Sequence, residues 1–175
     1  MPNRAEVMEN KGGLPLEEEL RERLERRVRA CKEGDVPFRT FHKLAALFAM
    51  RSGFARSCFE AAGQGTAGRI ERWLRRVIYE QLEAEHGQGV SIGSLDADRS
   101  IASAALIALK EGASHIDQRH LLLALLADKS GTMSEIAKGL SAARRDSIQA
   151  AAEKGRPRDL RPVRSAMSPS TRGWE

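Results

Sequence analysis

The sequence carries one pattern of residues twice, and this repeat constrains the fold more than any single motif. Residues 30–53 align with residues 108–131 without a gap, and eleven of the 24 aligned positions are identical. The identical positions are Ala30, Lys32, Glu33, Gly34, His42, Leu44, Ala46, Leu47, Ala49, Ser52 and Gly53, each matched 78 positions later. A repeat of this kind is typical of a chain built from two copies of one supersecondary unit.

Composition and periodicity favour helices within each copy. Aromatic residues make up only 5% of the chain, whereas Ala, Leu, Arg and Glu are abundant. Apolar residues recur at helical spacing, and no segment alternates convincingly with the strand period of two. The predicted helices cover residues 16–33, 40–51, 54–62, 67–85, 95–111, 117–127, 131–139 and 141–153. The sequence therefore predicts an all-α protein of eight helices, arranged as a pseudo-twofold tandem repeat of two four-helix units.

The predicted domain organisation follows from where this pattern starts and stops. Residues 1–14 are predicted to be a flexible arm, and residues 155–175 a basic, disordered tail. The first copy is assigned to residues 15–86 and the second to residues 94–154. A four-helix unit of this size has a marginal core by itself, so the two copies are expected to pack on each other. The tail supplies most of the net charge of +5.

Particular residues are predicted to end or cap the helices. Thr40, Ser94 and Asp117 stand at helix starts and have side-chain oxygens that can accept backbone N–H hydrogen bonds. Gly34 follows the first apolar stripe and is predicted to end that helix. Ile101, Ala105, Leu106 and Leu109 are predicted to face the core.

Several classes of protein are disfavoured by the sequence. No apolar run approaches the roughly 18 residues of a membrane span, and residues 1–13 lack the apolar segment of a signal peptide. Cys31 and Cys58 have no CxxC spacing and fall among apolar or small residues. Buried free thiols are therefore predicted rather than a disulfide, and a cytoplasmic location is expected.

The second copy carries the clearest motif. A helix opened by Ser94-Leu-Asp-Ala-Asp ends in Lys110-Glu-Gly112, and Ile116-Asp-Gln-Arg-His-Leu-Leu-Leu-Ala-Leu-Leu126 and Ser130-Gly131 follow. This resembles the Clp repeat of the N-terminal domain of Clp-type AAA+ unfoldases, in which a capped helix precedes Gly, Ile, Thr-Glu-His-Leu-Leu-x-x-Leu-Leu and Gly. The resemblance implies a bundle of two four-helix repeats over residues 14–154 that binds protein substrates and adaptor proteins.

The ATPase module of that family has no counterpart in this sequence. No GxxxxGK[ST] loop, which would hold nucleotide phosphates, occurs. We therefore expect a stand-alone Clp N-like protein, or a piece of a longer one, without enzymatic activity and without a metal or cofactor. Its expected role is that of an adaptor, substrate-recognition or regulatory protein in a Clp-type ATPase or protease system.

The predicted partner-binding residues include the positions where the chain departs from the family. In members that capture phosphoarginine-tagged proteins, a Glu directly before the repeat histidine supplies the counter-charge. Here Phe41 and Arg119 take that place, so recognition by that mechanism is not expected. Phe41 is predicted either to contact a partner or to pack into the seam between the copies. Arg119, beside Gln118, is predicted either to pair with an acidic group of a partner or to be a solvated surface charge.

An arginine stripe on the fourth helix is the second predicted interaction surface. Arg72, Arg75 and Arg76 lie there with Arg69, and acidic residues follow them, which is the order that opposes the helix dipole. That order suggests that the basic patch has another use or an acidic neighbour. A solvated face or a surface for an acidic protein partner is the favoured interpretation. The alternative function is a basic helical nucleic-acid-associated protein, which could also use the basic tail.

His42 and His120 occupy matched positions, a pattern that also fits a metal or catalytic pair. Neither has further ligands at the short spacing that metal sites need, and no GxSxG-type turn is present. A structural role is predicted instead, with a ring nitrogen bonded to a backbone carbonyl near the preceding turn.

Overall fold

The computed structural model describes residues 13–129 and 131–155, and in this part of the chain the predicted all-α fold of eight helices is confirmed. The helices are α1 (Glu18–Gly34), α2 (Thr40–Phe48), α3 (Phe54–Glu60), α4 (Thr66–Glu85), α5 (Arg99–Lys110), α6 (Gln118–Ala127), α7 (Gly131–Lys138) and α8 (Ala142–Lys154). One 3-10 turn, Leu95–Ala97, precedes α5. A parallel bridge between Leu16 and Ile116 ties the segment before α1 to the second copy.

The two copies share one core. The central helices are α2 and α6, in which residues 42–48 and 120–125 are buried without interruption. A single cluster of buried side chains runs through both copies. Cys31 and Cys58 lie in this interior as free thiols, as predicted. No helix of the described residues is long and apolar enough to cross a membrane.

A buried ion pair joins the copies across this core. Lys43 of α2 is 6% exposed, and its Nζ lies 2.9 Å from the Asp98 carboxylate and donates to Ser100 Oγ at 3.0 Å. The Asp98 carboxylate also accepts the N–H groups of Ser100 and Ile101 and so caps α5. The same carboxylate therefore starts a helix of the second copy and holds a helix of the first.

The start of α5 differs from the prediction. Ser94 Oγ accepts the N–H of Asp96, but it caps only the 3-10 turn, and the α-helix begins at Arg99 after the Asp98 cap. Two successive capping residues compete here, and the second one sets the helix register because its carboxylate is also fixed by Lys43. Ile101 and Ala105 are buried as predicted, whereas Leu106 and Leu109, also predicted to be inside, are 52% and 45% exposed.

The end of α1 also differs from the prediction. Gly34 is its last helical residue, and Asp35 takes the left-handed conformation at φ 49°. Aspartate tolerates this conformation, and here its carboxylate accepts the N–H groups of Gly89 and Val90 at 2.9 and 3.0 Å. Gly34 instead lies close to α4, since a Cβ there would lie 2.6 Å from Leu82 Cδ1 and the partly exposed leucine side chain would have to shift.

The predicted arm and tail fall mainly outside the described residues, which begin at Gly13 and end at Gly155. Within that range, Leu14 packs against the core cluster. The boundaries of the two copies stay predictions, although the 3-10 turn and α5 begin at the expected start of the second copy.

Candidate functional site

The repeat relates two helix–helix interfaces between the copies, which we call seams, and these two seams are packed differently. In one seam, α3 of the first copy packs closely against α8 of the second. The matched seam, between α7 and α4, is not closely packed and contains two adjoining cavities of about 220 and 380 Å³. We call this region the open seam. Its main lining residues are Phe38, Phe41, Ile70, Trp73, Val77 and Glu135.

Phe41 lies at one end of the open seam and is half-buried. Its ring centroid is 4.4 Å from that of His42, and Phe38 stacks on the same imidazole at 5.8 Å. Phe41 thus lies in the seam between the copies while keeping an exposed face. Partner contact by Phe41 stays a prediction, and the structure puts the residue where such a contact can be made.

His42 is the buried residue against which the Phe38 and Phe41 rings pack. Its side chain is 3% exposed, and burial lowers its pKa to about 4, so the ring is neutral near pH 7. Nδ1 accepts the backbone N–H of Arg39 at 2.9 Å. Arg39, rather than the predicted Thr40, is therefore the N-cap residue of α2.

His120 has the same capping role at the start of α6. Its Nδ1 accepts the N–H of Asp117 at 3.0 Å, and the remaining ring proton on Nε2 faces Glu111 Oε2 at 3.0 Å. The Asp117 carboxylate caps α6 as predicted, accepting the N–H of Arg119 and His120. Both repeat histidines thus have a structural role, but the predicted backbone carbonyl partner is wrong, because each Nδ1 accepts a backbone N–H.

Arg119 is not the exposed charge that the sequence suggested. Its side chain is 12% exposed. Nη1 donates to both carboxylate oxygens of Glu111 at 2.8 and 2.7 Å. Nε and Nη2 donate to the carbonyls of Ala152 and Glu153 at 2.9 and 2.8 Å, which are the last carbonyls of α8. The guanidinium therefore caps the C-terminus of α8, where helices leave carbonyls without intrahelical partners.

This cap explains why the matched positions carry Phe41 and Arg119. The fourth helix of the first copy, α4, has 20 residues, whereas α8 has 13. The shorter helix leaves its final carbonyls next to the start of α6, where a cation stabilises them. The longer helix runs past the matched position and presents apolar side chains there, which suit a phenylalanine.

Gln118 also lies inside the protein. It is 2% exposed, and its Oε1 accepts Ser52 Oγ at 2.9 Å across the boundary between the copies. Both side chains are engaged within the chain, Gln118 with Ser52 and Arg119 with Glu111 and the end of α8. Partner binding by Gln118 and Arg119 stays a prediction.

The predicted arginines Arg72, Arg75 and Arg76 are exposed on α4. At about 100° per residue, Arg69 and Arg76 lie directly beside Trp73 on the helix, with Arg72 next to them. Arg75 falls on the far side. The open seam therefore has arginines along the α4 edge of its aromatic wall.

Sequence reasoning missed Trp73 and Glu135 as lining residues. Trp73 was included in the apolar face of α4, although it stands at the edge of that stripe, and this edge position is the signal that could have identified it. Glu135 has no such signal, because the placement of α7 opposite α4 depends on the packing of the two copies.

A larger cavity of about 530 Å³ lies between α6, α7 and α8. It shares Ile136 and Leu140 with the open seam, so α7 has open space on both sides. None of the predicted partner-binding residues lines this cavity. We assign the site to the open seam because two half-buried aromatic side chains, Phe41 and Trp73, adjoin the exposed arginines of α4 there.

No metal centre was found, since no group of three or more His, Cys, Asp or Glu side chains within residues 13–129 and 131–155 is placed to hold an ion.

Comparison with known proteins gives one match. The family model of the Clp repeat (R) N-terminal domain matches residues 20–140, which is more than half of the chain and includes parts of both copies. No curated protein and no solved structure matches significantly.

Proposed function

Because the chain belongs to the Clp repeat N-terminal domain family, we propose that it is a non-enzymatic adaptor or substrate-recognition protein of a Clp-type ATPase or protease system. Family membership indicates the coarser role, a protein-interaction module related to Clp systems. The observation that carries the finer proposal is the asymmetry of the seams. One is closed by α3 and α8, and the other is open and lined by Phe41 and Trp73.

The open seam has the properties of a docking site for a protein segment. It offers two half-buried aromatic side chains, which are the residue type that most often anchors protein interfaces. Its floor is rigid, because His42 is fixed by a backbone hydrogen bond and by ring contacts with Phe38 and Phe41. A partner that inserts an apolar side chain there gains burial without reorganising the core.

The proposal includes no catalytic step. The ionisable side chains that stand out in the sequence are engaged in holding the fold: His120 and Arg119 cap helices, and Lys43 joins the copies. A cytoplasmic location is part of the proposal, and two buried free thiols favour it.

Nucleic-acid binding gains no support. Arg75 and Arg76 each lie within 4 Å of a carboxylate on their own helix, at 3.6 and 3.9 Å. The tail that could also bind nucleic acid, residues 156–175, lies outside the described residues.

Site-directed cross-linking tests the docking site. Thr132 lines the open seam, and Ser103 is an exposed hydroxyl residue on α5 that does not line it. Thr132→Cys and Ser103→Cys provide matched attachment points for a thiol-reactive photo-cross-linker. The native thiols do not compete, because burial raises the pKa of Cys31 and of Cys58 to about 11.

The cross-linked proteins are then identified in native cell extract. We expect the probe at Thr132→Cys to capture a Clp-type ATPase, a protease subunit or a substrate of that system, and the probe at Ser103→Cys to capture far less of it. Recovery of nucleic acid and its binding proteins alone, or equal capture from both positions, would overturn the proposal.

A further inference from the structure

The arginines beside the open seam make few contacts within the described part of the chain. Among residues 13–129 and 131–155, Arg69 and Arg72 form no ion pair with a carboxylate. Arg69 only reaches the hydroxyl of Thr66, at 3.4 Å. Arg76 has a loose contact with Glu80 at 3.9 Å, and both side chains are largely exposed.

Arg69 also stands at the wrong end of its helix, and Arg72 lies one turn further along. The first turn of α4 concentrates the positive end of the helix dipole, and cations there are unfavourable. The free N–H groups of Gly65 and Ala67 at this end are already satisfied by the Glu60 carboxylate, at 3.0 and 2.9 Å. Glu135 lines the same cavity as Arg69, but no carboxylate of the described residues lies within ion-pair distance of Arg69 or Arg72. The electrostatic cost of Arg69 at this helix end is therefore not offset by an ion pair in the described part of the chain.

We infer that the partner segment bound in the open seam is acidic, with an apolar side chain against Phe41 and Trp73 and carboxylates that pair with Arg69, Arg72 and Arg76. This inference rests on the proposed function and adds the chemistry of the partner. The aromatic wall and the arginine edge lie side by side on α4, so apolar and acidic groups about one helical turn apart reach both. The chain's own basic tail carries the wrong sign for this edge, with five arginines against Asp159 and Glu175.

Glu135 is the one acidic side chain that lines both cavities of the open seam. It is exposed on α7, opposite Trp73. An acidic partner is repelled by this carboxylate and attracted by the arginines, so the two walls have opposite effects on its affinity. This opposition gives a test in which one substitution weakens binding and another strengthens it.

The probes are three labelled helical peptides with identical apolar faces. The remaining positions are all Glu in one peptide, all Gln in the second and all Lys in the third. Binding to the full chain is measured by fluorescence anisotropy at low and high salt. We expect the Glu peptide to bind about tenfold more tightly than the Lys peptide at low salt, and the difference to shrink at about 0.5 M salt, because exposed ion pairs are screened.

Substitutions then assign the preference to residues. Arg69→Gln with Arg72→Gln should weaken the Glu peptide about fivefold to tenfold and leave the Gln peptide unchanged within about twofold. Glu135→Gln should strengthen the Glu peptide about twofold, a gain that an unfolded variant cannot produce. Trp73→Gln should weaken all three peptides, whereas Tyr79→Gln, an exposed aromatic residue on the same helix, should not.

The outcomes separate this inference from the proposed function. Equal binding of the three peptides, all weakened by Trp73→Gln, would leave the open seam as a docking site and overturn the acidic preference. Absence of binding by the Glu peptide, or binding that none of these substitutions changes, would also overturn the inference. Failure of the cross-linking experiment instead would contradict the proposed function itself.

Discussion

Replacing Arg119 by methionine tests whether this residue is a helix cap or a surface charge. Methionine keeps an apolar stem of similar length and removes the guanidinium. Four hydrogen bonds are lost with it, two to Glu111 and two to the carbonyls of Ala152 and Glu153. The final turn of α8 then keeps only Lys154 as a cation near its C-terminus.

The magnitude follows from how exposed each partner is. Hydrogen bonds to a charged group contribute about 1.5–3 kcal/mol when buried. Water can replace part of this at the helix end, and Glu111 is 40% exposed, so its ion pair is discounted to about 0.2–1 kcal/mol. We therefore expect Arg119→Met to lower the free energy of unfolding by about 2–3 kcal/mol. For a chain of this length that is a decrease of about 5–10 °C in Tm.

Urea and thermal unfolding, followed by circular dichroism, measure this loss, and amide hydrogen exchange locates it in α8. Arg72→Met is the matched control, because Arg72 is exposed and has no ion pair within the described residues. It should change the free energy of unfolding by less than about 0.5 kcal/mol. Equal unfolding midpoints for the two variants would refute the cap and restore Arg119 as a solvated charge.

The pH dependence of the same pair gives a second check. Hydrogen bonds from Arg119 lower the pKa of Glu111 below its ordinary value. A carboxyl group with a lowered pKa in the folded state stabilises that state at pH values above its unfolded-state pKa. This stabilisation is lost as pH falls through the folded-state pKa. The stability difference between wild type and Arg119→Met should therefore shrink in acid, below about pH 4.

Three further predictions concern the core and the joined copies. The pKa of His42 is lowered from 6.5 to about 4, so the unfolded state binds more protons between these values. On acidification through this range, His42 should therefore cost the wild-type protein about 3 kcal/mol of unfolding free energy. His42→Gln should not show this loss, and urea unfolding across the range measures the difference. Lys43→Met should destabilise by about 3 kcal/mol, because it leaves the Asp98 carboxylate without its cation, and adding Asp98→Asn should recover part of this in calorimetry. Gly155→Ala should lower Tm, because its Cβ would lie 2.7 Å from Phe54 Cε2 and overpacking costs about 1–3 kcal/mol.

The sequence predicted the helices well because their signals are local. Periodic apolar residues define α2 and α6, and these became the buried centres of the two copies. The start of α5 was predicted wrongly for an equally local reason. Ser94 and Asp98 are both acceptable caps, and the choice between them depends on Lys43, which comes from the other copy.

The site was harder to predict because its residues are defined by long-range contacts. Arg119 looks like an exposed charge until α8 is seen to end 33 residues later against it. Gln118 is buried through Ser52, which is 66 residues away. The exposed arginines of α4 were identified correctly as a surface group, because a stripe of charges on one helix face is a local pattern. Whether they bind a partner stays a prediction.

The unequal seams have a consequence for stoichiometry. A symmetrical double repeat would present two equivalent grooves, so that one chain could bridge two partner molecules. Here α3 and α8 pack against each other at one of them, so the proposed docking site occurs once per chain. One bound segment per chain is then the expected saturation point in a titration. Any gain from multivalency must come from bringing several chains together, as on a ring of subunits, rather than from the two copies within one chain.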